Sequence, residues 1–269
     1  MAVEFWVFTK PWRRLPLREL GALVRRLGFA GVELPVRPGF QVEPERAEAD
    51  LPEAVRTLAA EGVRVGSVAA PLEERTVAAA GRAGVRLLRT MVDIPPGVGY
   101  RERLRAFRRQ LEALEPALRR HGVAVGIQNH AGRYLATAAG LAQLLEGLDP
   151  ERFVAVWDVA HGALGGEPLE FALDLLGPRV ALVNLKNAFW RRTNGPEAEA
   201  AAFAPYWTSG RHGLASWPEV FGELARRGYA GPICLTAEYQ AENEVERLAR
   251  EDLAWAAQLA QAVGLAAGR

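Results

Sequence analysis

A single (β/α)8 barrel is the fold that the sequence predicts, because short apolar segments alternate with longer amphipathic ones along all 269 residues. A barrel of this type takes roughly 250 residues, so one domain is expected over 1–269. An open, doubly wound sheet would normally have a glycine-rich phosphate loop after its first strand. Here that position reads Phe8-Thr9-Lys10-Pro11-Trp12, without glycine, which argues against a dinucleotide site.

The candidate strands consist mainly of β-branched, aliphatic and aromatic residues. Such runs are typical of strands that are buried on both faces, as in a parallel barrel. In chain order they are Val3–Phe8, Gly31–Leu34, Val63–Ala69, Val85–Met91, Val123–Gln128, Phe153–Trp157, Val180–Leu185 and Ile233–Ala237.

The stretches between the strands have the spacing of amphipathic helices. In one of them the apolar residues Leu104, Phe107 and Leu111 recur at steps of three and four. Helices are predicted over Leu17–Leu27, Ala47–Ala60, Arg101–Arg120, Thr137–Leu148, Leu169–Leu176 and Trp217–Arg227, with a closing helix over Val245–Val263. The longest irregular stretch, Phe189–Ser216, is expected to be a loop positioned to cover the top of the barrel.

The charge balance and the cysteine content restrict the class of protein. Lys and Arg number 33 against 32 Asp and Glu, so the net charge of +1 gives no reason to expect a nucleic-acid or membrane partner. The one cysteine, Cys234, lies in an apolar run and is expected to be a buried core residue. A single cysteine allows no disulfide within the chain, which fits a cytoplasmic protein.

Polar residues stand at the ends of the predicted strands, where a barrel of this kind carries its reacting groups. They are Glu33, Gln128, His130, Asp158, His161, Asn184, Lys186, Asn187 and Glu238. Burying a carboxylate or a lysine there costs several kcal/mol unless it is paired or bound to a metal. Each residue alone has a structural explanation, such as a helix cap, but their shared placement favours a functional site.

Five segments, which span nearly the whole chain, carry a resemblance to a known family. They are Gly28–Leu34, Gly126–His130, Trp157–Gly162, Val183–Asn187 and Trp217–Glu238. On these segments the chain resembles the sugar phosphate isomerases/epimerases of the xylose-isomerase-like barrel superfamily. The resemblance implies a divalent cation, commonly manganese, magnesium or zinc, held by Glu, Asp, His and Glu. It also implies that the two glutamates move a proton at the carbon beside a carbonyl, whose oxygen the metal polarises.

The sequence departs from that family pattern at three positions. Gln128 replaces a glutamate, Asn184 a histidine and Asn187 an aspartate, whereas Asp158 and Glu238 are retained. An amide does not titrate, so Gln128 cannot act as a general base. The metal ligands that the resemblance implies are then Asp158, Glu238, Gln128 and Asn184. This set suits weakly bound magnesium or manganese better than zinc, and a metal-free site is the alternative.

Two functions follow from the retained residues. The first is an isomerase, epimerase or related lyase that acts on a small sugar, polyol or keto-sugar. The residues expected to serve it are Glu238 and His130 as acid/base groups, with Glu33, His161 and Lys186 binding substrate. The second is a catalytically degenerate, metal-free barrel that binds a sugar-like ligand or a partner without turnover. The retained side chains favour the first, and the altered ligands favour the second.

The superfamily also contains apurinic endonucleases, which assemble a multi-zinc cluster. Four histidines and no basic excess argue against that activity here. Among the aromatic residues, Trp6 and Trp157 are expected to pack in the core. Trp190, Tyr206 and Trp207 are candidates to stack on a sugar, to form a lid or to contact a second subunit in a homo-oligomer.

Overall fold

The structure, a computed structural model that describes residues 3–265, contains the closed parallel barrel that the sequence predicts. The barrel strands are β1 (Phe5–Phe8), β2 (Gly31–Pro35), β3 (Arg64–Ala69), β4 (Leu87–Met91), β5 (Ala124–Gln128), β6 (Phe153–Asp158), β7 (Val180–Leu185) and β10 (Ile233–Leu235), with β8 and β9 outside the barrel. Each pairs with its neighbours in parallel, and β1 pairs with both β2 and β10, which closes the sheet. The few terminal residues of the predicted domain 1–269 lie outside the described residues.

The helices between the strands lie close to their predicted positions. They are α1 (Leu17–Leu27), α2 (Ala47–Ala60), α3 (Glu74–Arg82), α4 (Tyr100–His121), α5 (Ala138–Leu145), α6 (Val159–Leu164), α7 (Leu169–Leu176), α8 (Trp217–Arg226) and α9 (Val245–Ala262). The sequence did not single out α3 and α6, both of which are short. Within residues 3–265, no helix combines the length and the apolar character needed to cross a membrane.

The helices pack their apolar faces on the outside of the barrel. In α4 the residues Leu104, Phe107 and Leu111 are buried, as their spacing predicts. The helix ends at Gly122, whose positive φ of 63° allows its N–H to bond the carbonyl groups of Arg119 and Leu118. This left-handed turn directs the chain straight into the next strand.

The prediction of a loop over Phe189–Ser216 is wrong in one respect, because part of this stretch forms an antiparallel hairpin. Its strands are β8 (Asn187–Arg192) and β9 (Phe203–Thr208). The Phe189 and Tyr206 rings stack across the hairpin with centroids 5.0 Å apart. At its base the buried amide of Asn187 donates to the carbonyl groups of Gly210 and Ala215. Asn187 is therefore a structural anchor.

The lower interior of the barrel is filled by apolar side chains, including Trp6, Leu87, Val156 and Cys234. Cys234 is fully buried, as the sequence predicts. The indole of Trp6 needs a neighbour without a side chain, since a Cβ added at Gly66 would lie 2.3–2.6 Å from three of its ring carbons. Gly31 lies against the same indole, since a Cβ there would be 2.9 Å from a Trp6 ring carbon, so Trp6 fits the barrel interior only beside residues without a side chain.

Replacing Gly66 by alanine is expected to lower the free energy of unfolding by about 1–3 kcal/mol, because the added methyl group overpacks the barrel interior. The control is Gly222→Ala in α8, where an added Cβ meets nothing within 4 Å. That change should instead stabilise the helix by roughly 0.5–1 kcal/mol. Urea unfolding measures both, and equal stability of Gly66→Ala and the unchanged protein would contradict the packing described.

Candidate functional site

Charged and amide side chains from most of the barrel strands meet at the carboxyl-terminal end of the barrel, above the apolar interior. Going round the barrel from β1 they are Lys10, Glu33, Arg89, Gln128, Asp158, Lys186 and Glu238. Hydrogen bonds and ion pairs join them into one chain of contacts that runs across the barrel.

The first link is a buried ion pair between β4 and β2. Arg89 Nε donates to Glu33 Oε1 at 2.7 Å, and its Nη2 lies 2.6 Å from Oε2. Ser67 Oγ donates to the same carboxylate at 3.1 Å. Burial lowers the pKa of Arg89, but the charge and hydrogen bonds of Glu33 outweigh it and raise that pKa. Arg89 is therefore a permanent cation inside the barrel.

Gln128 joins Arg89 to Asp158. Its amide oxygen accepts a hydrogen bond from Arg89 Nη1, and its Nε2 donates to Asp158 Oδ2 at 2.7 Å. An amide has both an acceptor and a donor group, so one side chain can bond a cation on one side and an anion on the other.

Asp158 ends β6 and also begins the next helix. Its Oδ1 accepts the His161 backbone N–H at 3.0 Å and thereby caps α6. Asn129 holds the Asp158 backbone, accepting its N–H at 2.7 Å and donating to its carbonyl at 3.1 Å. Burial raises the pKa of Asp158, but the ammonium of Lys186 and the other neighbours lower it by more. Asp158 is therefore an anion at neutral pH.

Lys186, directly after β7, places its ammonium among several partners. Its Nζ lies 2.8 Å from Glu238 Oε2, 3.1 Å from His161 Nε2 and 3.5 Å from Asp158 Oδ2. It also lies 4.5 Å from the centre of the Trp207 ring, within cation–π distance. Burial lowers the pKa of Lys186, but Asp158 and Glu238 raise it by more, so the ammonium stays charged.

Glu238 is held between two ammonium groups. Lys186 bonds one carboxylate oxygen, and Lys10, from the segment after β1, bonds the other. Burial raises the pKa of Glu238, but the two lysines lower it far below the ordinary value. A carboxylate in this setting is a weak base.

Both histidines of the site are neutral at neutral pH. Burial lowers the pKa of His161 to about 3, and its Nε2 accepts from Lys186. Burial also lowers the pKa of His130. His130 Nδ1 lies 2.9 Å from the Ala131 carbonyl, so Nδ1 carries the proton, and the Nε2 lone pair has no hydrogen-bond partner within residues 3–265. The His130 ring packs between the tilted rings of Tyr134 and His161, with centroids 4.3 and 3.8 Å away.

The structure brings most of the predicted site residues together, but not all of them. Glu33 has no exposed surface and lies beneath the mouth behind Arg89. Asn184 is fully buried, and neither of its amide atoms has a hydrogen-bond partner among the described residues. Trp190 donates its indole N–H to the Leu164 carbonyl of α6, whereas Trp207 lies over Lys186.

Sequence reasoning missed Arg89 and Lys10. The signal for Arg89 was present, because an arginine in the middle of the apolar segment Leu87–Met91 must be paired. Lys10 stands two residues after the end of β1, where a strand-end residue is expected, but it looked like an ordinary surface lysine.

The family pattern implies a divalent cation, and these residues do not fit one. Both oxygens of Asp158 and of Glu238 already accept N–H groups, and the Gln128 oxygen accepts from Arg89. Of the four predicted ligands, Asn184 alone has a side-chain oxygen without a donor among the described residues. Three carboxylates, Glu33, Asp158 and Glu238, face three cations, Arg89, Lys186 and Lys10, so a divalent ion would add uncompensated charge. Within residues 3–265, no group of three His, Cys, Asp or Glu side chains is arranged to hold a metal.

A further buried carboxylate, outside the network just described, fixes the hairpin beside the site. Asp252 of α9 accepts the Gly210 N–H at 3.0 Å and the Tyr239 hydroxyl at 2.9 Å. The Gln240 N–H donates to the Trp207 carbonyl at 2.9 Å. These bonds join the closing helix, the segment after Glu238 and the end of β9, and so position Trp207.

Fold and site together define a (β/α)8 barrel with a polar site at the carboxyl ends of its strands. The chain belongs to the xylose isomerase-like TIM barrel family, because the sequence model of that family matches residues 22–259. No curated protein is similar enough in sequence to match the chain.

Several solved structures share the fold. One is L-ribulose 3-epimerase, with a TM-score of 0.75 and 14% identity over 98% of this chain and 96% of that one. Another is 3-keto-D-glucoside 4-epimerase YcjR from E. coli, with a TM-score of 0.72 and 15% identity over 95% of this chain and 99% of that one. A third is the probable 3-DHS dehydratase AsbF from Bacillus anthracis, with a TM-score of 0.68 and 16% identity over 94% of this chain and 98% of that one. At these identities the likeness is one of fold.

Replacing Arg89 by methionine is expected to destabilise the protein by about 3–5 kcal/mol, because it leaves the Glu33 carboxylate buried and unpaired. The double variant Glu33→Gln/Arg89→Met removes that charge as well and should recover part of the loss. Urea unfolding at neutral pH measures both. If the double variant were no more stable than the single one, Arg89 would not be the counter-charge of Glu33.

Asp252 makes the stability depend on pH. Burial raises its pKa to about 6, although the hydrogen bonds from Gly210 and Tyr239 act in the opposite direction. The folded chain therefore holds this proton more tightly than the unfolded chain. The resulting stabilisation is complete below about pH 4 and is lost as the pH rises through 6, a change of roughly 3 kcal/mol. The measurement is the unfolding free energy of the protein minus that of Asp252→Asn, which should fall over this range; a flat difference would contradict the shift.

Proposed function

We propose that the protein binds a small sugar-like carbonyl compound at the carboxyl-terminal mouth and moves a proton at the carbon next to the carbonyl. In this proposal the Lys186 ammonium takes the electrostatic part that a divalent cation plays in the family pattern. The observation that carries the proposal is the position of Lys186 Nζ between the carboxylates of Asp158 and Glu238. The solved structures named as sugar epimerases support a sugar-like ligand.

The mouth has room for such a ligand. A cavity of about 440 Å³ opens beside the ion pairs and is lined by residues that include Lys10, Phe40, Trp207 and Glu238. This volume lies within the range of small-molecule sites. The Trp207 ring offers an apolar face on which a sugar ring can stack, as the sequence suggests.

The proposed chemistry needs a group that stabilises negative charge and a group that takes up a proton. An ammonium fixed next to the carbonyl oxygen of the ligand stabilises the enediolate that forms when the neighbouring carbon loses its proton. Lys186 is such a group, since its carboxylate partners keep it charged and hold it in place.

His130 is the better base of the two acid/base candidates. It is neutral, and its Nε2 lone pair is free. Glu238, with its strongly lowered pKa, binds protons too weakly to be an efficient base near neutral pH. In this assignment Glu238 positions Lys186, and His130 moves the proton.

A second candidate function is ligand binding without turnover. It is favoured by one observation: both oxygens of Glu238 are bonded to lysines, so the carboxylate is not free to act on a ligand. The two functions differ in whether ligand protons exchange with solvent.

Hydrogen exchange separates these functions. The protein, freed of metal by a chelator, is incubated in deuterium oxide with a panel of small ketoses and hydroxy-keto acids, and deuterium beside the carbonyl is measured by mass spectrometry. We expect incorporation that added manganese does not increase, and a loss of about 100-fold or more in Lys186→Met and in His130→Asn. Binding without exchange would favour the second function, and exchange only with manganese would contradict the role of Lys186.

A metal-binding variant tests the same assignment without activity. Lys186→Met frees one oxygen of Glu238 and one side of Asp158, so millimolar manganese should raise its melting temperature but not that of the unchanged protein. The matched control, Asp158→Asn/Lys186→Met, lacks one carboxylate and should lose the effect. A manganese shift in the unchanged protein would show that Lys186 does not replace a cation.

A further inference from the structure

Arg37 is a cation at the mouth that no residue of the site neutralises. It follows β2 and is half-buried. Within residues 3–265 its guanidinium forms no ion pair and no side-chain hydrogen bond, unlike Arg89, Lys186 and Lys10, which all bond carboxylates. Five N–H donors are therefore available at a place partly removed from water.

The position of Arg37 is set by its surroundings. Its guanidinium lies over the Phe8 ring, 5.5 Å from the centroid, and the Arg89 guanidinium lies 4.8 Å from the same centroid. The loop that carries it is closed by backbone hydrogen bonds, from the Arg37 N–H to the Val42 carbonyl and from the Phe40 N–H to the Arg37 carbonyl. The side chain of Gln41 bonds this loop to the carbonyl groups of Trp12 and Leu15.

The charges near Arg37 do not neutralise its guanidinium. Burial lowers its pKa, and so does Arg89, while Glu33 and Glu238 raise it. Both of those carboxylates are already bonded to other cations. The three carboxylates and three cations of the site cancel, so Arg37 gives the mouth one positive charge. At the cavity rim Arg13 and Glu242 carry opposite charges and leave this balance unchanged.

We propose that Arg37 binds an anionic group, a carboxylate or a phosphate, of the ligand that this site takes. This inference rests on the proposed function and narrows its substrate class to acidic sugars, keto acids or sugar phosphates. A guanidinium presents paired N–H groups that match the oxygens of either anion, and such bonds are strong where water is partly excluded. Phe40, on the Arg37 loop, lines the same cavity as Lys10 and Trp207, so an anion on Arg37 lies beside the proposed reaction centre.

Binding of small probes tests this role without turnover. Inorganic phosphate and glycolate are titrated against the full chain, with glycerol as the uncharged probe, and the melting temperature and tryptophan fluorescence are recorded. We expect at least one anion to bind and glycerol to have no effect. Arg37→Gln should weaken anion binding about tenfold or more. The tighter anion identifies the group that the ligand carries.

The matched control is Arg64→Gln. Arg64 also lies over an aromatic ring, that of Trp6, but it begins β3 and so stands at the opposite end of the barrel. Its replacement should leave anion binding within about twofold, since it removes the same charge far from the mouth. Equal weakening in both variants, or none in Arg37→Gln, would overturn the proposal.

The exchange experiment then separates failure of this inference from failure of the proposed function. If both hold, acidic substrates exchange deuterium, and Arg37→Gln raises their KM far more than it lowers kcat. If neutral ketoses exchange deuterium, and Arg37→Gln changes neither the rate nor the saturation of that exchange, the role of Arg37 alone is overturned. Anion binding that depends on Arg37, without exchange of any substrate, would overturn the proposed function alone.

Discussion

Three carboxylates inside one end of a barrel must be neutralised, and the structure of the site follows from how this is done. Glu33, Asp158 and Glu238 are anions in a region largely closed to water, where an unpaired charge costs several kcal/mol. Arg89 of β4 pairs with Glu33 of β2, and Lys186 and Lys10 supply the counter-charge for Asp158 and Glu238. Further hydrogen bonds hold these charged groups in place. Gln128 bonds the spare N–H of Arg89, and Asn129 and the α6 cap hold Asp158 in place.

This arrangement decides which groups remain available for chemistry. A carboxylate bonded to two ammonium groups holds them in place but binds a proton weakly. The ion pairs therefore fix the position of Lys186 and lower the pKa of Glu238. His161 is similarly occupied, because its Nε2 accepts from Lys186. Among residues 3–265, neither His130 Nε2 at the edge of the network nor the Arg37 guanidinium has a hydrogen-bond partner. In the proposed chemistry Lys186 acts from within the network, whereas His130 and Arg37 act from its edge.

The fold was predictable because periodicity is a local property of the sequence. Short apolar runs and amphipathic stretches predicted the barrel strands and most helices. The position of residues such as Asp158 and Lys186 after strands predicted that they meet at one end of the barrel. Periodicity gives the face of a residue but not its partner, which is why the contact between Arg89 and Gln128 was missed. The hairpin was missed for a related reason. Its strands are held by contacts such as the Phe189–Tyr206 stack and by the buried amide of Asn187, and neither leaves a repeat in the sequence.

The amide at Gln128 and the lysine at position 186 depend on each other. Gln128 Nε2 donates to Asp158 Oδ2 at 2.7 Å, so a glutamate in its place would bring two anionic oxygens to that distance. Such a pair is stable only with a cation between its members or with one of them protonated. With glutamine the contact becomes a hydrogen bond, and the two ammonium groups of Lys186 and Lys10 are enough for Asp158 and Glu238. The replacement of one carboxylate by an amide therefore does more than remove a ligand: it lets the barrel hold its charges without a divalent ion while the fold around them stays the same.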